Sequence, residues 1–189
     1  MNGARNKKGA AVLQGKRVIL RAVEREDLKQ LHALNQHVEL VLAGDGHWQP
    51  LPLAAFEKHY EKRLEDTEQA AFVIEADGKL IGDTVLHSRD HRSRVSSFGI
   101  AIYEPDYLGK GYGREAIALL LDWAFDIRNY VRIWLTTWST NERAIRCYRA
   151  LGFVEEGRLR RHIFVNGQYV DTLVMGLLRD EWCAAQRGQ

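Results

Sequence analysis

The segment that most constrains the fold is a predicted strand, residues 95–103, which leads through a glycine-rich loop into an amphipathic helix. The loop reads Gly-Lys-Gly-Tyr-Gly over residues 109–113, and apolar residues then recur at helical spacing from Ala116 to Phe125. Glycines allow a ligand to approach the backbone, and a helix begins with unpaired N–H groups at the positive end of its dipole. The segment therefore predicts a site for a phosphate or pyrophosphate.

Two common nucleotide-binding patterns do not fit this loop. A P-loop requires Ser or Thr after its Gly-Lys pair, but Lys110 is followed by Gly111. The dinucleotide pattern is Gly-x-Gly-x-x-Gly, whereas residues 109–113 give Gly-x-Gly-x-Gly. The sequence therefore predicts neither a P-loop nucleotidase nor a Rossmann dehydrogenase.

Composition excludes several classes of protein. The chain has 189 residues, with 27 Lys and Arg against 25 Asp and Glu, and this balance argues against a dedicated nucleic-acid binder. No apolar run approaches the roughly 20 residues of a membrane span, and the first residues lack the apolar core of a secretory signal. Cys147 and Cys183 show no metal-ligand spacing and fit a reducing compartment. We therefore expect a soluble cytoplasmic protein with no metal site and no membrane or nucleic-acid partner.

The spacing of apolar residues predicts one mixed α/β domain over residues 16–182, between a flexible tail (1–15) and a short C-terminal tail (183–189). The predicted order is β-α-α-β-β-β-α-β-α-β-β. In chain order, these elements fall at about 17–21, 24–38, 53–64, 71–76, 79–88, 95–103, 113–128, 131–137, 139–151, 153–165 and 168–178.

Local signals mark several boundaries of these elements. Asp-Gly at 77–78 and Asn-Gly at 166–167 predict two-residue hairpin turns. Ser139, with Glu142 three residues later, predicts a capping box, and Gly152 predicts a left-handed helix stop. A free edge strand near 168–178 would allow the chain to form a homodimer.

Two segments resemble the GNAT superfamily of N-acetyltransferases. The family's pyrophosphate loop follows Gln/Arg-x-x-Gly-x-Gly/Ala, and this chain matches at Gly111 and Gly113 but has Leu108 at the first position. Because such a loop binds mainly through backbone N–H groups, this departure should weaken binding without abolishing it. The family pattern N-x-x-A-x-x-x-Y-x-x-x-G-F is matched at every defining position, namely Asn141, Ala144, Tyr148, Gly152 and Phe153.

The resemblance extends over about residues 16–182. The last part is similar to the branch that contains ribosomal-protein N-terminal acetyltransferases and spermidine acetyltransferases. The residues that carry this similarity are Glu156, Gly157, Arg160, the run 166–171, Met175, Glu181 and Trp182.

The resemblance implies a GNAT fold, an α/β fold with a mixed central sheet that splays open at an acetyl-CoA site and has flanking helices. It also implies a bulge at about residues 99–101, where free backbone groups would pair with the pantetheine arm of the cofactor. The implied cofactor is acetyl-CoA, and the implied contacts are Ile100, Ala101, Ile102, Leu108, Gly109, Lys110, Gly111, Tyr112, Gly113, Arg114, Asn141 and Ala144.

The implied reaction is direct attack of an amine on the thioester, with Tyr148 as the general acid. A phenol has a pKa of about 10 and a thiol about 8.5, so the tyrosine keeps its proton until a thiolate forms. Asn141 has two open roles, because it could contact the cofactor or cap its own helix.

The general base is where the sequence departs from the family. Many relatives carry a Glu at the position of Ser97, and serine cannot act as that base. Substitute candidates are His87, Asp83, Glu104 and Asp171; the first two are four residues apart on one strand and share a face.

The acceptor is predicted to be a small amine or a protein N-terminus. At pH 7.4 an amine of pKa about 10.4 is only about 0.1% neutral, whereas an α-amine near 7.8 is roughly a quarter neutral. The missing carboxylate base therefore favours an α-amine or a peptide-like acceptor. A polyamine would instead favour clustered carboxylates, and Asp45, Glu57 and Asp66 are scattered. Trp48 is a candidate to cover an apolar acceptor group.

A second hypothesis is a non-catalytic acyl-CoA-binding regulatory module of the same fold. In this case, the departures from the family pattern at Ser97 and Leu108 would reflect a loss of catalytic activity. The retained Tyr148 argues against it. Cys147 has no His/Asn pair to support a nucleophilic role and is interpreted as a small buried hydrophobe. The basic run at 158–162 is a solvated strand face, or a contact for the adenosine phosphate or for an acidic partner.

Overall fold

The computed structural model describes residues 12–43, 48–65 and 70–187. One eight-stranded sheet has the strand order β1-β2-β3-β4-β5-β6-β8-β7. The strands are β1 (Val12–Gln14), β2 (Val18–Ala22), β3 (Ala70–Ala76), β4 (Lys79–Asp90), β5 (Val95–Ile102), β6 (Arg132–Trp138), β7 (Val154–Val165) and β8 (Gln168–Leu178). The helices are α1 (Leu28–Leu34), α2 (Val38–Ala43), α3 (Leu53–Glu65), α4 (Tyr112–Asp122), α5 (Glu142–Ala150) and α6 (Arg179–Arg187).

Each face of the sheet carries its own hydrophobic core. On the face that packs against α4 and α5, the core includes Leu120 and Phe125, both fully buried. On the opposite face, α1 and α3 place Leu31 and Phe56 against Val73 of β3. The apolar residues of each helix recur every three or four positions, so one stripe is buried while the other side meets solvent. The predicted mixed α/β class is confirmed.

The sheet splays open between β5 and β6. These two strands form its parallel pair, and their pairing covers only Val95↔Arg132, Ser96↔Ile133 and Ser97↔Trp134. Beyond Ser97, β5 continues to Ile102 without β6 beside it. The predicted bulge at 99–101 is wrong, because β5 stays in register with β4 from Ser97 to Ile102. The free edge of β5 arises from the loss of a neighbouring strand and needs no inserted residue.

Several local predictions are confirmed by backbone geometry. Both residues of the 77–78 turn have positive φ, 52° and 74°, and so do both residues of the 166–167 turn, 49° and 80°. Gly152 has φ 94°, the left-handed conformation expected after a helix.

Other local predictions differ from the structure. The first helix is interrupted after Leu34, where Gln36 and His37 donate backbone hydrogen bonds to Ala33 and Leu34, and a separate helix α2 follows. The long helix after the glycine loop changes at Trp123 into a π-helical turn, Trp123–Ile127. The N-cap of α5 is Asn141, so the capping box predicted from Ser139 is wrong.

Parts of both predicted tails belong to regular elements. Val12–Gln14, which the sequence placed in the tail, pairs with β2, and α6 extends through Arg187. The free edge predicted at 168–178 is wrong, because β8 lies between β6 and β7 and the edge strand is β7. No helix in the described part of the chain is long and apolar enough to cross a membrane.

Candidate active site

A cavity of about 770 Å³ lies where β5 and β6 diverge. This volume falls in the usual range for a small-molecule or cofactor site. Its walls come from β5, the glycine loop, the first turns of α4, α5, α2 and the C-cap of α1. Every site residue predicted from the sequence except Tyr112 lines it: Ile100, Ala101, Ile102, Leu108, Gly109, Lys110, Gly111, Gly113, Arg114, Asn141, Ala144 and Tyr148.

The glycine loop has the conformation that an anion site requires. Gly109 and Gly111 have φ of 70° and 90°, a region that residues with a Cβ rarely adopt. Gly111 is the N-cap of α4, and its carbonyl accepts the backbone N–H of Glu115 at 3.0 Å. The first N–H groups of a helix have no partner within the helix, so they are donors for a phosphate group.

Arg17, the residue before β2, stabilises the glycine loop through hydrogen bonds and a cation–π contact. Its Nη1 donates to the Lys110 carbonyl at 3.1 Å, its Nε donates to Glu115 at 3.1 Å, and its guanidinium lies 4.6 Å from the Tyr112 ring centroid. Tyr112 packs against Tyr107 at 4.9 Å and Arg17, which explains why it supports the loop without lining the cavity. These contacts join residues more than ninety positions apart, so no local sequence signal reveals them.

Glu115 of α4 connects Arg17 and the glycine loop to the sheet. Its carboxylate accepts the backbone N–H groups of Arg17 at 2.7 Å and Val18 at 3.1 Å. Burial alone would raise the pKa of the Glu115 carboxyl, but these hydrogen bonds and the Arg17 charge lower it overall. The carboxylate therefore stays ionised and fixes the first turn of α4 against β2.

The cavity is electropositive. Its lining includes Lys110, Arg114, Arg143 and Arg146, and among the described residues that line it none is acidic. This charge suits a ligand that carries several phosphate groups. The sequence predictions missed Arg143 and Arg146, which lie three residues apart on α5 and so on one side of the helix.

Tyr148 of α5 and Asn141, the N-cap of this helix, each make defined contacts within the protein. Tyr148 is 8% exposed and contacts Phe98 and Phe153 edge-on, with ring centroids 6.0 Å away in each case. The Asn141 Oδ1 accepts the backbone N–H of Ala144 at 3.2 Å, so the helix-cap role is observed. Both residues line the cavity, and their contact with a cofactor remains a prediction.

The candidate bases differ in their partners. The two carboxylate oxygens of Asp83 accept the hydroxyls of Tyr103 at 2.8 Å and Tyr60 at 3.1 Å. Asp171 accepts the Arg161 backbone N–H, and this bond together with the Arg158 side chain lowers the pKa of its carboxyl, which makes it a weak base.

Glu104 precedes a short 3-10 turn and is not among the residues that line the cavity. His87 and Ser97 lie directly opposite each other on β4 and β5, with the Ser97 Oγ 2.8 Å from the His87 Nδ1.

The remaining candidates lie elsewhere. Trp48 is half-buried and does not line the cavity, and Asp45 and Asp66 lie outside the described residues. Glu57, on α3, does not reach the lining either. Burial raises the pKa of the Cys147 thiol, so it stays protonated. In the described ranges, no group of three or more His, Cys, Asp or Glu residues could hold a metal ion.

One part of the cavity wall was not predicted. Asn35, the C-cap of α1, and Leu40 and Val41 of α2 line the cavity, as do Tyr103 and Tyr107. Folding brings α2 and the end of α1 beside β5. Nothing in the residue pattern of this region indicates a ligand site, so the sequence did not predict it.

Comparison with known proteins agrees with this geometry. Residues 17–154 match the family model described as an acetyltransferase (GNAT) domain. The chain is 34% identical over 173 residues to spermidine N(1)-acetyltransferase of Escherichia coli K12, covering 90% of each. It is 32% identical over 106 residues to a putative ribosomal N-acetyltransferase of Bacillus subtilis, covering 56% of this chain and 57% of that relative.

A solved structure extends the comparison to three dimensions. The spermidine N-acetyltransferase of Vibrio cholerae, in complex with CoA and spermine, superposes with a TM-score of 0.82 at 32% identity. The match covers 89% of this chain and 99% of that one.

The fold and the cavity define an enzyme that transfers an acyl group from a coenzyme A thioester. The chain belongs to the GNAT acetyltransferase family. It transfers the acetyl group of acetyl-CoA to an amine, and the predicted fold, cofactor and branch are confirmed. The non-catalytic module is not favoured.

Proposed function

We propose that this enzyme acetylates a small amine by direct attack on acetyl-CoA held across the gap between β5 and β6. The observation that carries the proposal is that gap, because β5 has a free edge at 100–102 with the glycine loop at one end and Tyr148 beside it. The pyrophosphate would bind the N–H groups at 109–114. The pantetheine arm would add to the free edge of β5 like a further strand.

Tyr148 acts as the general acid in this proposal. The amine nitrogen attacks the carbonyl carbon, backbone N–H groups at 100–102 stabilise the oxyanion, and the C–S bond then breaks. The departing thiolate takes the phenolic proton of Tyr148. Its position in the cavity wall supports this role, and the surrounding Phe98 and Phe153 rings hold the phenol in place.

The acceptor we propose is an α-amine, as in an amino acid or a short peptide. Where the region of α1 and α2 lines the cavity, its residues are Asn35, Leu40 and Val41, and the absence of a carboxylate among them does not suit a polycation. An α-amine is also partly neutral near pH 7.4, so it needs less help from a base. A polyamine is the second candidate, because relatives are named for spermidine.

The test is acetyl-CoA-dependent thiol release with spermidine, amino acids and short peptides with free N-termini, after subtracting the thiols of Cys147 and Cys183. We expect release with α-amines, and a loss of about 100-fold in kcat in Tyr148→Phe with CoA affinity unchanged. Tyr169→Phe is the matched control, because Tyr169 is exposed on β8. CoA binding without release from any acceptor would contradict the proposal and favour the binding module.

A further inference from the structure

The cationic side chains that line the cavity lie on two separate elements. Lys110 belongs to the glycine loop and Arg114 to the first turn of α4. Arg143 and Arg146 lie on α5. The backbone N–H groups of the loop already offer donors for a pyrophosphate. CoA carries a third phosphate group on the 3′ position of its ribose, and the arginines of α5 are cations available for it.

Arg143 has surroundings that favour an anionic ligand. It is exposed and lines the cavity, and no carboxylate in the described part of the chain forms an ion pair with it. It also lies in the first turn of α5, where the positive end of the helix dipole disfavours a cation. A bound phosphate would supply the missing countercharge and offset this unfavourable position.

Arg146 adds a second guanidinium on the same side of α5. It lies three residues after Arg143 and also lines the cavity, and like charges at this spacing repel each other when no anion lies between them. The Arg146 Nη1 donates to Glu142 at 3.2 Å. Both side chains of that ion pair are mostly exposed, 69% and 80%, so the pair is weak. Arg146 can therefore exchange this contact for a phosphate.

Arg114 brings a third positive charge close to this side of α5. Burial raises the pKa of the Cys147 thiol, and the nearby charge of Arg114 opposes this effect. Cys147 lies four residues after Arg143, one helical turn away on the same side of α5, and it lines the cavity as well. The guanidinium groups of α4 and α5 therefore border the same region of the cavity.

The basic run at 158–162 does not fit the adenosine-phosphate contact that the sequence left open. None of its residues lines the cavity. Arg158 is instead paired with Asp171 at 3.2 Å and with Glu155 at 3.5 Å. The cations outside the glycine loop that do line the cavity lie on α4 and α5.

We infer that Arg143 and Arg146 bind the 3′-phosphate of CoA and make the enzyme selective for CoA over thioesters that lack this group. The inference rests on the proposed function, in which the pyrophosphate occupies the N–H groups at 109–114. A guanidinium binds phosphate through parallel N–H donors in a fixed geometry, so two arginines can satisfy one phosphate group. Backbone groups then recognise the pyrophosphate, and side chains recognise the ribose phosphate.

The test compares the affinities of CoA and 3′-dephospho-CoA, measured by calorimetry. We expect the wild type to bind CoA about tenfold more tightly, because hydrogen bonds between charged groups are stronger than neutral ones. In the double variant Arg143→Gln/Arg146→Gln, this preference should fall to about twofold or less. Its affinity for 3′-dephospho-CoA should stay at the wild-type value, which also shows that the variant is folded.

Arg149→Gln is the matched control. Arg149 is an exposed arginine of the same helix, but it contacts Glu155 and does not line the cavity. This variant should keep the full preference for CoA. Salt gives a second readout, because added salt should weaken the binding of CoA more than that of 3′-dephospho-CoA in the wild type. The double variant should lose most of this difference.

Two results would overturn the inference. One is a wild-type enzyme that binds CoA and 3′-dephospho-CoA equally tightly. The other is a double variant that loses affinity for both ligands to the same extent, because the arginines would then act on the pyrophosphate or on the helix. Failure of the proposed function is distinguishable from both: a wild type that prefers CoA but acetylates no amine would contradict the proposed transfer and leave the phosphate site in place.

Discussion

The two ends of the cavity are built in different ways. At the phosphate end, one continuous segment supplies the site through backbone groups, from the free edge of β5 to the N-terminus of α4. At the proposed amine end, side chains from separate elements meet, including Asn35 after α1, Val41 of α2 and Tyr103 after β5. The phosphate end therefore depends on backbone shape and the amine end on side-chain chemistry.

This difference has a mechanistic reason. CoA is the same for every acetyltransferase, and backbone N–H groups recognise its pyrophosphate whatever side chains surround them. The acceptor changes between enzymes, so its end of the cavity can vary in residue type while the loop keeps its geometry. Substitutions at the two ends should accordingly affect different steps.

The largest effect on cofactor affinity is expected from Gly111→Ala. A residue with a Cβ at φ 90° is strained by about 1–2 kcal/mol, and here the Cβ would lie 3.2 Å from the Arg17 guanidinium. The loop should relax away from its phosphate-binding conformation, weakening CoA binding about tenfold, measured by calorimetry.

Gly78→Ala is the control for Gly111→Ala, because Gly78 has φ 74° in a remote hairpin with open space around it. It should lower stability in urea while leaving CoA affinity unchanged. Equal CoA affinity in the two variants would contradict the special role of the loop.

A smaller effect is expected from Arg17→Ala, which removes the brace on the outside of the loop. The hydrogen bond to Lys110, the ion pair with Glu115 and the contact with Tyr112 are lost together, and CoA affinity should fall about fivefold. Arg17→Lys should recover only part of it, since an ammonium cannot reproduce the guanidinium geometry. Arg25→Ala, which breaks an exposed ion pair with Glu61, should leave CoA affinity at the wild-type value.

The smallest effect is expected at the amine end from Asp83→Asn. An amide offers one acceptor oxygen where the carboxylate offers two, so one of the phenols of Tyr60 and Tyr103 loses its present bond. Stability in urea should fall by about 1 kcal/mol and the acceptor KM should rise, because Tyr103 lines the cavity. CoA affinity should not change; a parallel loss of CoA binding would show that the two ends are coupled.

The phosphate end could be predicted from the sequence because its signals are local. The glycine loop, the amphipathic helix behind it and the Asn141–Phe153 pattern each lie within about fifteen consecutive residues. Backbone conformation and helical spacing are properties of such short segments. For the same reason, the hairpin turns at 77–78 and 166–167 were predicted correctly.

The rest could not be predicted because it depends on contacts between distant segments. The edge strand of the sheet was misplaced, since only the pairing of β6 with β8 shows that β7 is outermost. The helix cap was assigned to Ser139 because Ser139 and Asn141 are both good caps, and the local sequence does not decide between them. No local sequence signal indicates that Arg17 contacts the glycine loop or that Ser97 and His87 are hydrogen-bonded.

The short parallel pairing between β5 and β6 also has a consequence for folding. Strands β1 to β5 are antiparallel neighbours in sequence order, and β6 to β8 form a second antiparallel unit. Contacts between segments close in the chain form with less loss of chain entropy, so each unit can form early. The three residue pairs that join them require the whole α4 crossover to be in place. We therefore expect the pairing of β5 with β6, beside which the cavity lies, to form last during folding.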